Sequence, residues 1–185
     1  MLLLKREFIE WLIAIVIATV LYFVVKTFFF ISYSVSGDSM YPTFTDDDKV
    51  IVNKMSTLHN GDVIVFHTGS TQDYVKRIIG KPGDKVEYRD DVLYINGERT
   101  EEPYLQENRI AKTNILLTEN FKVSDLSGAG GKSVIPEGKL LVLGDNRETS
   151  NDSRSFGLIK EQQVVGEVQV RYWPLDTFHV NFNPQ

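Results

Sequence analysis

A chain of 185 residues with a net charge of −5 and no cysteine has room for one membrane helix and one domain with a proper core. The lack of Cys excludes disulfides, a thiol nucleophile and every Cys-ligated metal site, and the acidic balance offers no basic patch for nucleic acid. The three His residues, His59, His67 and His179, are scattered without metal-ligand spacing, so no metal or organic cofactor is implied.

The N-terminus carries the one membrane-spanning candidate. Residues 11–25 (WLIAIVIATVLYFVV) are uncharged, and Lys26 and the apolar Phe28, Phe29, Phe30 and Ile31 follow. A helix over residues 11–31 would be about 31 Å long, enough to cross a hydrocarbon core, with Lys26 near enough to one end to snorkel. A helix apolar on all sides finds no cover in a β-rich chain, which argues against a core helix. A cleavable leader would end in a small-x-small site, not in Lys26 and a block of Phe. The segment is therefore expected to be an uncleaved anchor over 8–31, preceded by a short cytoplasmic stretch, 1–7. Lys5 and Arg6 before the helix put the N-terminus inside, and a long following domain translocates largely regardless of its own charge. Residues 32–185 are then extracytoplasmic.

Most of that domain reads as short strands. Residues 49–53 (KVIVN) and 62–66 (DVIVF) are rich in β-branched residues, with a turn at Asn60-Gly61 between them. Residues 74–79 form a third strand, closed by Pro82-Gly83, which suits the centre of a type II turn. The clearest hairpin joins 92–95 to 98–100 through Asn96-Gly97, the pair that supplies two positive φ angles. Residues 139–143 (KLLVL) fit a strand buried on both faces, and 164–172 alternate, with Val168, Val170 and Tyr172 on one face. Residues 103–133 are polar and poorly periodic, which predicts a flexible surface insertion. Its Gly-Lys-Ser end lacks the first Gly of a phosphate-binding loop, and no strand leads into it. Asp46, Asp47 and Asp48 point in different directions, as in a solvated turn and not a cation site.

Three stretches carry chemistry. Ser39 sits in a turn entered from the apolar run that follows the anchor. A serine hydroxyl needs a base within hydrogen-bond reach, and no His shares a loop with an acidic partner. Lys76 is the better base. In a strand it shares a face with Tyr74 and Ile78 while Arg77 points the other way, and an apolar setting lowers a lysine's pKa. The neutral amine could take the Ser39 proton and pass it to a leaving amine. The third stretch, residues 144–154, is a loop crowded with hydrogen-bonding side chains.

Together these stretches resemble type I signal peptidases. The resemblance rests on Ser39-Met40 with Pro42-Thr43, Gly61-Asp62-Val63-Ile64-Val65-Phe66, Tyr74-Val75-Lys76-Arg77 with Gly80, Pro82, Gly83 and Asp84, and the Gly144-Asp145-Asn146-Arg147 loop through Asp152-Ser153-Arg154. It covers nearly the whole chain, and the single anchor is similar to the Gram-positive type. The resemblance implies a mostly β fold: one transmembrane helix, then an extracytoplasmic catalytic domain with a smaller β insertion over 81–138. It implies a membrane-bound serine endopeptidase that removes signal peptides from secreted preproteins, cutting after Ala-x-Ala through an acyl-enzyme, close to the export translocon. Ser39 would be the nucleophile, Lys76 the base, Ser150 the group that orients the lysine, and Asp152 and Arg154 braces of the loop. An Arg77–Asp145 ion pair is expected to tie the lysine strand to that loop.

An extended peptide adding to strand edges at Val35 and at residues 73–76 is the expected binding mode, with Val35, Met40, Phe44, Tyr74 and Val75 lining shallow apolar pockets. Some members of the family have an oxyanion-hole serine where this chain has Gly37. The Ser39 N–H remains as a donor, and loss of the other would cost roughly a hundred- to a thousand-fold in rate unless compensated. Self-cleaving Ser-Lys repressors share this β fold but need a DNA-binding domain, against which the anchor argues. The other alternative is a catalytically impaired, membrane-tethered relative that binds exported peptides. The presence of both Ser39 and Lys76 argues against it.

Overall fold

In a computed structural model, residues 2–69 and 72–183 are described, apart from the side chains of residues 2–8 and 25. The Lys5 and Arg6 side chains on which the orientation rests lie outside that set. The apolar N-terminal stretch forms α1 (Leu2–Phe29), of which Ile9–Phe29 is long and apolar enough to cross a membrane. It ends two residues earlier than the sequence suggests. Phe30 and Ile31 open β1 (Phe30–Ser34), which pairs antiparallel with β2 (Lys49–Asn53).

β3 (Val63–His67), β4 (Asp73–Gly80), β5 (Val86–Arg89), β6 (Val92–Ile95) and β7 (Glu98–Thr100) come next. α2 (Gln106–Ala111), β8 (Phe121–Lys122) and β9 (Lys139–Leu143) lead to α3 (Ser153–Phe156), β10 (Ile159–Lys160), β11 (Val164–Trp173) and β12 (His179–Val180). The larger sheet runs β1-β2-β11-β3-β4-β9-β10, with β12 on β11, and the smaller runs β7-β6-β5-β8. The order explains why some strands lack alternation. β3 sends Val63 and Val65 into one core cluster and Ile64 and Phe66 into another. β9 divides Leu141 and Leu143 from Leu140 and Val142 in the same way, so both strands read as continuous apolar runs.

The predicted hairpin is present, with Ile95 opposite Glu98 and positive φ at Asn96 and Gly97. Gly83 also has positive φ, as its turn requires. In β11 three register shifts, two against β2 and one against β3, break the strict alternation read from the sequence. The 103–133 stretch is not a loose insertion. Leu105, Leu117, Thr118, Val123, Leu126 and Ala129 are buried; Val123, Leu126 and Ala129 pack with the smaller sheet, and Asn108 and Thr118 bond to the 144–154 loop. The solvated-turn reading of the acidic run also fails at Asp48. It is buried, caps Thr45 N at 3.0 Å and takes Arg171 Nη1 at 3.1 Å.

Candidate active site

β4 brings Lys76 to the centre of the larger sheet, opposite Ile64 of β3 and on the face of Tyr74 and Ile78. The residue is 3% exposed. Its Nζ donates to Ser39 Oγ at 2.7 Å and to Val75 O at 3.0 Å. Burial pushes the Lys76 ammonium down to about 8, against smaller upward pulls from Asp152 and Asp145. The arrangement can do what the sequence predicts, since a lysine of that acidity is partly neutral near pH 8 and sits in proton-transfer distance of a hydroxyl.

Ser39 is held from behind. Asn146 N donates to Ser39 O at 3.1 Å, and Asn146 Nδ2 donates to Asp38 O at 3.0 Å. Gly144 passes so close that a Cβ there would collide with the Ser39 carbonyl oxygen and Ser150 Oγ. The Ser39 N–H has no acceptor among the described residues, which leaves it free to donate to an oxyanion. Gly37 has a positive φ of 79°, and its own N–H is taken by Asp46 Oδ1 at 2.7 Å, so it supplies no second donor.

The expected Arg77–Asp145 pair is bidentate, with Nε to Oδ1 at 2.9 Å and Nη2 to Oδ2 at 2.7 Å, both side chains fully buried. Thr43 Oγ1 also donates to the Asp145 carboxylate. Asp152 accepts from Gly144 N at 3.0 Å and from Arg154 Nε at 2.9 Å. Burial pushes its carboxyl up, but the Arg154 bond and charge outweigh that and hold it below the ordinary carboxylate range. Both residues stand in the 144–154 loop, bonded to each other and, through Asp152, to Gly144 N. Ser150 lies beside Gly144 and Ser39, yet its buried Oγ has no hydrogen-bond partner among the described residues. Lys76 Nζ bonds to Val75 O and Ser39 Oγ.

A cleft of about 380 Å³ opens over the pair, lined on one side by Tyr33 to Ser39 and on the other by Asp73, Tyr74, Val75 and Lys76. Of the proposed binding residues it includes Val35, Gly37, Tyr74 and Val75. Met40 and Phe44 do not line it. Both are fully buried in the core beneath, where the Phe44 ring meets Phe182 with centroids 4.5 Å apart. A larger apolar cavity of about 670 Å³ lies at the foot of α1 and includes neither Ser39 nor Lys76. His67 does have an acidic partner, Asp73 Oδ1 at 2.5 Å, but that pair makes no bond to a serine among the described residues.

Sequence reasoning missed a second buried network. Arg147 donates to Gly144 O at 3.0 Å, to Tyr88 and Thr118 hydroxyls, and to Glu102, which also accepts from Tyr88 and Tyr104. An arginine beside Gly144-Asp145-Asn146 was the available signal. Its partners lie 29–59 residues away in the smaller sheet and its connections.

A buried lysine bonded to a serine, set between two strand edges, fits the broad class of hydrolases. The comparisons narrow the class. Residues 8–173 match the family model described as signal peptidase, peptidase S26. The chain is 51% identical over 98% of its length to signal peptidase IB of Staphylococcus aureus (strain MRSA252), of which it covers 97%. It is 41% identical over 93% of its length to signal peptidase I of Bacillus caldolyticus, again covering 93% of that protein. A crystal structure of a signal peptidase I from Enterococcus faecalis V583 superposes with a TM-score of 0.56 at 40% identity, over 60% of this chain and 97% of that one. The chain belongs to the S26 family and is a type I signal peptidase, whose substrates are preproteins carrying signal peptides.

Proposed function

We propose that the chain cleaves signal peptides with a Ser39–Lys76 dyad. Ser39 Oγ attacks the scissile carbonyl as its proton passes to neutral Lys76 Nζ. The resulting ammonium protonates the leaving amine, and water then hydrolyses the Ser39 ester, giving its proton to the same lysine. The observation that carries this reading is the 2.7 Å contact from a buried Lys76 Nζ to Ser39 Oγ. The Ser39 N–H donates to the oxyanion, with water or a substrate-induced shift supplying the partner that Gly37 does not. The signal peptide adds as a strand between the β1 and β4 edges. The side chains of Val35, Tyr74 and Val75 leave room for small residues at the first and third positions before the cut, hence Ala-x-Ala. α1 anchors the enzyme in the bilayer with its N-terminus in the cytoplasm and residues 32–185 outside, near the translocon that delivers the substrate. Asp145, Asp152, Arg77 and Arg154 hold the loop, and residues 81–138 support it without supplying a reacting group.

The test is cleavage of an Ala-x-Ala preprotein by the detergent-solubilised full chain, with N-terminal sequencing of the product. Cleavage after the second Ala, lost in Ser39→Ala and Lys76→Ala, supports the dyad. Cleavage that survives Lys76→Ala removes the base, and preprotein bound but uncut by the intact chain returns the peptide-binding alternative.

A further inference from the structure

Asn108 stands outside the expected catalytic set, in the six-residue helix α2 of the smaller lobe, with its side chain buried. An amide nitrogen carries two hydrogens, and here both reach backbone carbonyls: Tyr41 O at 2.8 Å and Asp145 O at 2.7 Å. Tyr41 lies two residues past Ser39 in the same turn, which closes from Tyr41 N to Asp38 O at 3.1 Å. Asp145 accepts two of the Arg77 bonds, and Arg77 follows Lys76 in β4. One side-chain nitrogen thus joins the segment carrying the serine to the segment locked onto the lysine strand.

Other groups share the work without replacing it. Asn146 grips the start of the turn through Asp38 O and Ser39 O, and Thr43 reaches the Asp145 carboxylate from its end. Between them two carbonyl oxygens converge on one point. Arg147 N serves Asp145 O at 3.0 Å, whereas Tyr41 O has no donor but Asn108 among the described residues. Without that donor two like dipoles face each other beside the nucleophile turn, and the turn relieves them by moving.

We infer that Asn108 is a positioning residue of the peptidase reaction, setting the Ser39 turn against the Lys76–Arg77 strand from the smaller lobe. The inference rests on the dyad reading above. Misplacing reacting groups by about 1 Å can cost on the order of a hundred-fold in rate, whereas Asn108 makes no hydrogen bond to the β1 and β4 edges proposed to bind the peptide.

The test measures cleavage of the same preprotein by the full chain, Ser39→Ala, Asn108→Ala and Asn108→Asp, with active sites counted by a serine-acylating reagent so that kcat refers to folded enzyme. Per titrated site, Asn108→Ala is expected to lose roughly ten- to a hundred-fold in kcat with KM within about two-fold. Asn108→Asp should lose more, because a carboxylate then faces two carbonyl oxygens. The acid limb of the Asn108→Ala pH profile should also move to higher pH, since a loosened site admits water to Lys76. If Asn108→Ala yields no titratable enzyme, Asn108→Ser, which keeps one short donor, is measured in its place and judged by the same criteria. Unchanged kcat per site with an unchanged limb overturns the inference and leaves Asn108 a folding residue. A raised KM at constant kcat overturns it in favour of substrate binding. An intact chain that does not cleave, or cleavage surviving Ser39→Ala, overturns the dyad reading itself. Full activity in Asn108→Ala beside a dead Ser39→Ala overturns this inference alone.

Discussion

A lysine amine enclosed by protein loses the hydration that keeps it protonated, and Lys76 is lowered from 10.5 to about 8 mainly for that reason. A general base works only when neutral, so with Lys76 in the proposed role kcat/KM should climb about ten-fold per pH unit below the Lys76 pKa and level off above it. A stopped assay across pH 6 to 10 checks this, and a profile flat through the region would remove Lys76 as the base. The same shift has a cost in stability. The folded pKa lies below the unfolded one, so the unfolded chain binds the extra proton between about 8 and 10.5. Stability is therefore lowest below that window and rises through it. Lys76→Met should abolish cleavage and yet raise stability at pH 7 by on the order of 1–3 kcal/mol, an advantage that shrinks towards pH 10. Thermal melts at the two pH values decide it; a destabilised Met variant at pH 7 would mean that the bonds to Ser39 Oγ and Val75 O outweigh the desolvation.

At the level of elements, the site depends on how β4 is fastened to the loop after β9. Arg77 and Asp145 are both fully buried, so Asp145→Asn leaves a cation without its anion and should destabilise the fold by about 3–5 kcal/mol. Removing both charges with Arg77→Met and Asp145→Leu should cost less than the two single changes summed. A double-mutant cycle by denaturant unfolding measures the coupling, and a value near zero would mean the two segments are held together by Thr43 and Asn108 instead. This fastening was expected from the family resemblance, which sets Arg77 beside the lysine and Asp145 in the polar 144–154 loop. β2, β6, β7 and β9 were legible for a different reason: period-2 patterns or buried runs bounded by turn residues whose φ values the fold uses. β1 was not, because Phe30-Ile31 continues the apolar anchor without a polar break, and only pairing with Val52 and Asn53 makes it a strand. Residues 103–133 were misread because their buried apolar residues, such as Val123, Leu126 and Ala129, pack on distant strands from irregular spacings, which leave no periodic trace. Met40 and Phe44 were misplaced because proximity to Ser39 in sequence does not say which side of the turn faces the cleft.

Across the whole molecule, helix and catalytic domain are joined without a linker. α1 ends at Phe29, β1 begins at Phe30, and Lys54, the residue after β2, straps the junction through its N to Phe29 O at 2.9 Å and its Nζ to Thr27 O at 3.2 Å. The same β1 runs on to Tyr33 and Ser34 at the cleft wall, about 16 Å from the helix end at about 3.3 Å per residue. With α1 in a bilayer as proposed, the Ser39–Lys76 pair is held at one height above the lipid, where a substrate whose own apolar segment lies in the same bilayer presents its cleavage site. An inserted run of eight Gly and Ser residues between Phe29 and Phe30 would leave β1, its pairing and the dyad in place while freeing the domain to wander. The effective concentration of site and substrate should then fall. Cleavage of a bilayer-inserted preprotein in proteoliposomes is expected to slow on the order of ten-fold, with a short peptide in detergent cut at the unaltered rate. Equal slowing of both substrates would mean that the insertion damaged the domain. No slowing of either would mean that the anchor tethers the enzyme without setting the height of its site.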